Sequence, residues 1–158
     1  MTTTKRRRER QQWNPDLGVL AARLLLGLQA ELFERLAEAG YDDLRPRHGA
    51  VVAYLDEDGV RATELARLSG RHKQIVGRLV DELEELGYVE RRPDPADRRA
   101  KLIVPTERGL DQILLGDEIV ADIERRHAEA TGRRLYAEFR NVLRAMVEPP
   151  AGERQDGR

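Results

Sequence analysis

Apolar residues recur along residues 17–36 as Leu17, Val19, Leu20, Leu24, Leu25, Leu26, Leu28, Leu32, Phe33 and Leu36. This spacing predicts a helix over about 16–39, with Asn14 as N-cap, Pro15 in the first turn and Gly40 as the stop. In its first half the apolar positions cover most of the circumference. A helix apolar nearly all round must be covered on several sides, which in a chain this small implies a second subunit. Pro46 predicts a shorter helix over 47–55, with Ala50, Val51, Tyr54 and Leu55 turned inward and the run Asp56-Glu57-Asp58-Gly59 ending it. A short strand at 60–62 is expected to pair with a later hairpin.

The next stretch changes period twice. Two helical segments, 63–68 and 72–86, are separated by only Ser69-Gly70-Arg71, the pattern of a helix-turn-helix. In the second segment Val76, Leu79, Val80, Leu83 and Leu86 form a stripe that must be buried, and Gly87 supplies the stop. The opposite face carries Lys73, Gln74, Gly77, Arg78 and Asp81. Strand-like runs follow at 88–92 and 101–104, separated by Pro93-Asp94-Pro95-Ala96-Asp97-Arg98-Arg99, so a β-hairpin with a basic tip is predicted. A helix-turn-helix followed at once by such a hairpin is a winged helix. Its second helix is suited to a major groove and its wing arginines to an adjacent minor groove or the backbone. Thr106 then caps a helix over about 107–130, and a last helix carries Leu135, Tyr136, Phe139, Val142, Leu143 and Met146 before Pro149-Pro150.

Composition narrows the picture. A chain of 158 residues with 36% charged and 4% aromatic residues fits one mostly helical domain. It contains no cysteine, which excludes disulfides and thiol chemistry. No apolar run reaches the ~20 residues of a membrane span, and no apolar segment follows the N-terminal charges, so cytoplasmic placement is expected. His48, His72 and His127 match no metal-ligand spacing, and no carboxylate pairs with a base or nucleophile. No metal, cofactor or catalytic residue is therefore expected. The net charge of −1 hides a basic cluster: Arg61, Arg67, Arg71, Lys73, Arg78, Arg91, Arg92, Arg98, Arg99, Lys101 and Arg108 crowd the winged helix. Glu82, Glu84 and Glu85 read as a solvated helix face with support from Arg78.

The run LVDELEELGYVERRPDPADRRAKLIVPTERG closely resembles the corresponding part of the MarR (multiple antibiotic resistance regulator) family of bacterial transcription factors. The resemblance is densest over residues 65–109 and weakens over the flanking helices. It implies a mostly α fold with a small β-hairpin wing: a winged helix-turn-helix at about 45–108, flanked by dimerisation helices at about 14–40 and 106–148, within a single domain 13–148. It also implies that Arg99 inserts into a minor groove and that Asp97 orients the wing. His72 and Ile75 stand where many members have serine or threonine and threonine, so base contacts do not transfer.

The function expected is a homodimeric, sequence-specific regulator of a pseudo-palindromic operator in double-stranded DNA, contacted by Arg71, His72, Lys73, Gln74, Gly77, Arg78, Arg98 and Arg99. The resemblance further implies a repressor relieved by a small, often aromatic or phenolic compound bound between the dimerisation helices and the winged helix. His48 and Tyr54 are the candidate ligand contacts, with a plainly structural role for His48 also open. Residues 1–12 are expected to be a disordered basic arm, a source of phosphate contacts or simply a solvated tail, and 149–158 a disordered tail. Two rivals stand beside this function: a winged helix for protein–protein contact or architecture without an inducer, and a ligand-binding or catalytic helical protein.

Overall fold

In the computed structural model, residues 12–148 are described, so the tail 149–158 and all of the basic arm but Gln12 lie outside the described residues. Six helices and three strands follow one another as α1 (Leu17–Glu38), a 3-10 turn (Pro46–His48), α2 (Gly49–Val52), β1 (Val60–Arg61), α3 (Ala62–Ser69), α4 (Lys73–Glu85), β2 (Val89–Pro93), β3 (Lys101–Pro105), α5 (Glu107–Thr131) and α6 (Arg133–Val147). The strands form one antiparallel sheet in the order β1-β3-β2. Val60 pairs with Ile103, and Arg91 also pairs with Ile103 from the other side. This is the mostly α winged helix-turn-helix expected from the periodicities. The chain divides into two compact units, Met1–Ile119 and Val120–Arg158.

In the first unit the α4 stripe of Val76, Leu79, Val80 and Leu83 is buried against Leu44, Val51, Leu65, Ala66, Tyr88, Val89 and Ile103. Leu86 is partly buried at its edge. The helix-turn-helix turn closes at Gly70, whose φ of 64° is left-handed, while the Arg71 N–H donates to the Ala66 carbonyl at 3.1 Å. Gly87 repeats the device after α4: its φ is 78°, and the Tyr88 N–H donates to the Leu83 carbonyl at 2.8 Å. Thr106 caps α5 by accepting from the Gly109 N–H at 3.1 Å, and its hydroxyl donates to the Gly87 carbonyl at 2.6 Å. The start of α5 is thereby tied to the end of α4.

Three local expectations give way. The N-cap of α1 is Asp16, not Asn14; its carboxylate accepts the Val19 N–H at 3.0 Å, a charged acceptor on the positive end of the helix. The helix expected over 47–55 is a 3-10 turn followed by a single α turn, so His48 ends the 3-10 turn instead of lying within a longer helix. Tyr54 follows α2 and is 40% exposed, not inward. The shortness of α2 explains this: the helical phase ends at Val52, before it could carry Tyr54 to the core.

Only Leu36 of α1 is fully buried, while Leu17, Leu20, Leu24, Leu25 and Leu26 remain exposed. In the second unit, Tyr136 of α6 sits 6.4 Å from the His127 ring and 6.2 Å from the Phe139 ring, centroid to centroid, and Arg140 pairs with Glu124 at 3.1 Å. Leu135, Phe139, Val142 and Met146 recur at helical spacing on α6, yet all are exposed.

Candidate nucleic-acid interface

The leading end of α4 begins at His72, an extended N-cap residue whose side chain makes no capping hydrogen bond. Lys73 and Gln74 are the first two helical residues, and the first turn holds no acid. A helix N-terminus of this kind presents unsatisfied N–H groups and partial positive charge, which favours an anion such as phosphate. Arg71, His72, Lys73, Gln74 and Arg78 are all exposed, and Gly77 is half-buried. The residues expected to face DNA thus share one exposed side of α4 and the turn before it.

The wing tip is built on two aspartates. Asp94 is only 6% exposed. Its Oδ1 accepts the Ala96 N–H at 2.8 Å, its Oδ2 accepts from the Arg61 guanidinium, and its own N–H donates to the Ala100 carbonyl at 3.1 Å. The bond from the Ala96 amide, followed by that from Arg61, holds the Asp94 carboxyl below the usual carboxylate range. Asp97 forms a second turn within the first: its Oδ1 accepts the Arg99 N–H at 3.1 Å and its carbonyl accepts the Ala100 N–H at 2.8 Å. Arg98 and Arg99 are carried outward, both exposed.

Ion pairing sorts the basic residues. Arg61 pairs with Asp94, Arg67 with Glu64, Arg92 with Glu90 and Arg108 with Asp43. Arg91 of β2 pairs with both Asp81 and Glu84 of α4. Glu82 accepts from Arg47 and His48, each at 2.9 Å, and these partners, His48 first, hold its carboxyl below the usual range. Asp81, Glu82 and Glu84 are therefore engaged from outside the helix, and the support expected from Arg78 is not what engages them. Within this cluster, Arg71, Lys73, Arg78, Arg98, Arg99 and Lys101 make no ion pair among the described residues. Of the eleven basic residues in the cluster, then, five are ion-paired within the fold, and the six at the α4 leading end and on the wing are not.

The pairs that hold this frame were not visible in the sequence. Arg61–Asp94 is one. Another is the network in which the Tyr88 hydroxyl donates to Asp43 at 2.5 Å while Arg108 donates to Asp43 and to the Tyr88 oxygen at 2.9 Å each. Burial, followed by the hydrogen bond to Asp43, raises the Tyr88 hydroxyl above its ordinary value. Burial also pushes Asp43 up, but the hydrogen bonds from Tyr88 and Arg108 outweigh it and the carboxyl ends below its usual range. A local signal could have found Asp94: an Asp-Pro-x segment commonly folds its own carboxylate onto an amide two residues on.

His48 is buried, with Nδ1 accepting the Arg45 N–H at 3.1 Å and Nε2 bonded to Glu82. Both ring nitrogens are committed to the fold, which fixes 46–48 against α4. Tyr54 is exposed and joins no such network. Among the described residues no group of His, Asp and Glu is placed to hold a metal, and no helix is long and apolar enough to cross a membrane.

A model of the MarR family matches residues 42–100. The uncharacterised HTH-type transcriptional regulator YcgE of Bacillus subtilis (strain 168) is 40% identical over 81 residues, a match spanning 51% of this chain and only 52% of that protein. The crystal structure of CouR from Rhodococcus jostii RHA1 bound to p-coumaroyl-CoA is similar with a TM-score of 0.70 and 30% identity, covering 85% of this chain and 94% of that one. A transcriptional regulator of the MarR family from Rhodococcus sp. RHA1 is similar with a TM-score of 0.69 and 29% identity, over 85% and 94% of the two chains.

Proposed function

The chain belongs to the MarR family of transcriptional regulators, which are not enzymes, and from that premise we propose that it is a homodimeric DNA-binding repressor released from its operator by a small-molecule ligand. The observation that carries this reading is the sorting of charge within the winged helix: of its eleven clustered basic residues, the six that make no ion pair among the described residues lie at the α4 leading end and on the wing. We assign Lys73 and Arg78 to phosphate or guanine, Gln74 to adenine and Arg71 and His72 to the entry of α4 into a major groove. Gly77 admits close approach of the backbone. Arg98 and Arg99 reach a flanking minor groove, and Asp97, through the Arg99 amide, sets their direction.

Dimerisation is supported by the exposed leucines of α1 and the exposed stripe of α6. Burying one such side chain stabilises by about 1–3 kcal/mol, so a helix that leaves five leucines in water has a strong drive to be covered. Two-fold symmetry then makes the operator pseudo-palindromic, with half-sites about one helical turn apart. The ligand is proposed from the similarity to CouR, which was crystallised with p-coumaroyl-CoA. His48 is not assigned to it, since both its nitrogens are engaged. A coupling of about 1–3 kcal/mol between ligand and DNA is enough to change operator occupancy. The cytoplasm is the compartment that fits this role.

Selection from random duplex DNA tests the proposal. A two-fold symmetric site should be enriched. Failure to enrich any sequence would replace this reading with that of a winged helix used for protein contact or architecture.

A further inference from the structure

Ile75 breaks the pattern of α4. Val76, Leu79, Val80 and Leu83 are buried, but Ile75, in the first turn, is 42% exposed. A helix advances 100° per residue, so Ile75 lies at the margin between the core stripe and the outer face. Its neighbours there are Gln74 beside it and Arg78 one turn on, both exposed. A branched apolar side chain thus stands in water at the leading end of the helix, within a polar and cationic surface.

We infer that Ile75 reads the 5-methyl group of a thymine in the operator, an inference that rests on the DNA-binding reading above. A polyanionic duplex offers this face few apolar partners. Within the major groove, base edges present donors, acceptors and one apolar group, the thymine methyl. The first turn of a recognition helix is the part that reaches base edges. Gln74 has the two-sided amide that pairs with adenine, so Gln74 and Ile75 together favour an A·T-rich step within each half-site. Ile75 therefore sets specificity by excluding a base edge without a methyl, where its own apolar surface would face a polar group.

The selected operator provides the test. Each thymine is replaced by deoxyuridine, symmetrically in the two half-sites, which removes the methyl and leaves every hydrogen-bonding group. One position should weaken binding of the natural protein about tenfold, as expected for two methyl groups returned to water. Ile75→Ala should bind the thymine duplex about tenfold more weakly and show no penalty at that position. Equal affinity of the two proteins for the uracil duplex would show that the variant is folded. If binding is unchanged at every uracil position, or if Ile75→Ala keeps the full penalty, the assignment of Ile75 is overturned while the DNA-binding reading stands. If no duplex is enriched at all, the DNA-binding reading itself fails and takes this inference with it.

Discussion

Gly109 in the first turn of α5 lies directly against the backbone of Tyr88: a Cβ on it would stand 1.9 Å from the Tyr88 carbonyl oxygen. That contact is backbone against backbone, so no rotamer change relieves it. Gly109→Ala should destabilise the protein by about 3 kcal/mol, at the upper end of overpacking costs. Gly116, on the same helix, provides the contrast, since its nearest neighbour would be the flexible Gln112 Nε2 at 3.5 Å. Gly116→Ala should be neutral or stabilising by up to about 1 kcal/mol. Denaturant unfolding of both variants checks the pair.

Gly77 separates folding from DNA contact. A Cβ there would meet nothing within 4 Å. In a helix interior Ala is favoured over Gly by about 1 kcal/mol, so Gly77→Ala should unfold at higher denaturant than the natural protein. Its affinity for the selected operator should nonetheless fall, because the added methyl occupies space the duplex needs. A more stable variant with unchanged affinity would remove Gly77 from the interface.

Acid should loosen the wing. The carboxyls of Asp94 and Asp43 are held below the ordinary aspartate value of about 3.9. A group whose folded pKa is depressed contributes stability that is complete above its unfolded pKa and is lost as pH falls through the folded one. Stability should therefore be level near pH 6 and fall below about pH 4. Asp94→Asn should be less stable at pH 6 and show a shallower fall between pH 4 and pH 2, followed by denaturant unfolding across that range.

The exposed face of α1 predicts the oligomeric state. Sedimentation at micromolar concentration should show a species near twice the 18.0 kDa chain mass. Leu25→Glu places a charge on that face, and it should give a monomer whose winged-helix unit still folds, because Leu25 contributes little to the core of its own chain. A natural chain that sediments as a monomer would contradict the dimer.

What was legible in the sequence was local. The Val76–Leu79–Val80–Leu83 stripe followed from a 3.6-residue period, the turn at Gly70 from the short Ser69-Gly70-Arg71 spacing, Gly87 from the left-handed stop it supplies, and Thr106 from its cap position. Asn14 and Asp16 are both good caps two residues apart, and only the backbone decides between them. What was not legible joins distant residues: Arg61 to Asp94 across 33 positions, Tyr88 to Asp43 across 45, Arg108 to Asp43 across 65. Such pairs depend on the finished packing, and so does the sorting of arginines into those that form ion pairs and those that form none. Composition alone gave eleven basic residues equal standing. Tyr54 was misplaced for the same reason, since two residues of helix length decide which way it faces.

The most direct test of the account is affinity for the selected operator at 50 mM and 200 mM salt, for the natural protein and Arg99→Ala. Two copies of the α4 leading end and wing tip should neutralise about 6–10 phosphates, so affinity should fall by about 10³–10⁵ between the two conditions. Arg99→Ala should bind about 1–3 kcal/mol more weakly, with a shallower salt slope. Affinity independent of salt, or equal for the operator and a scrambled duplex, would contradict the claim that these exposed cations hold DNA.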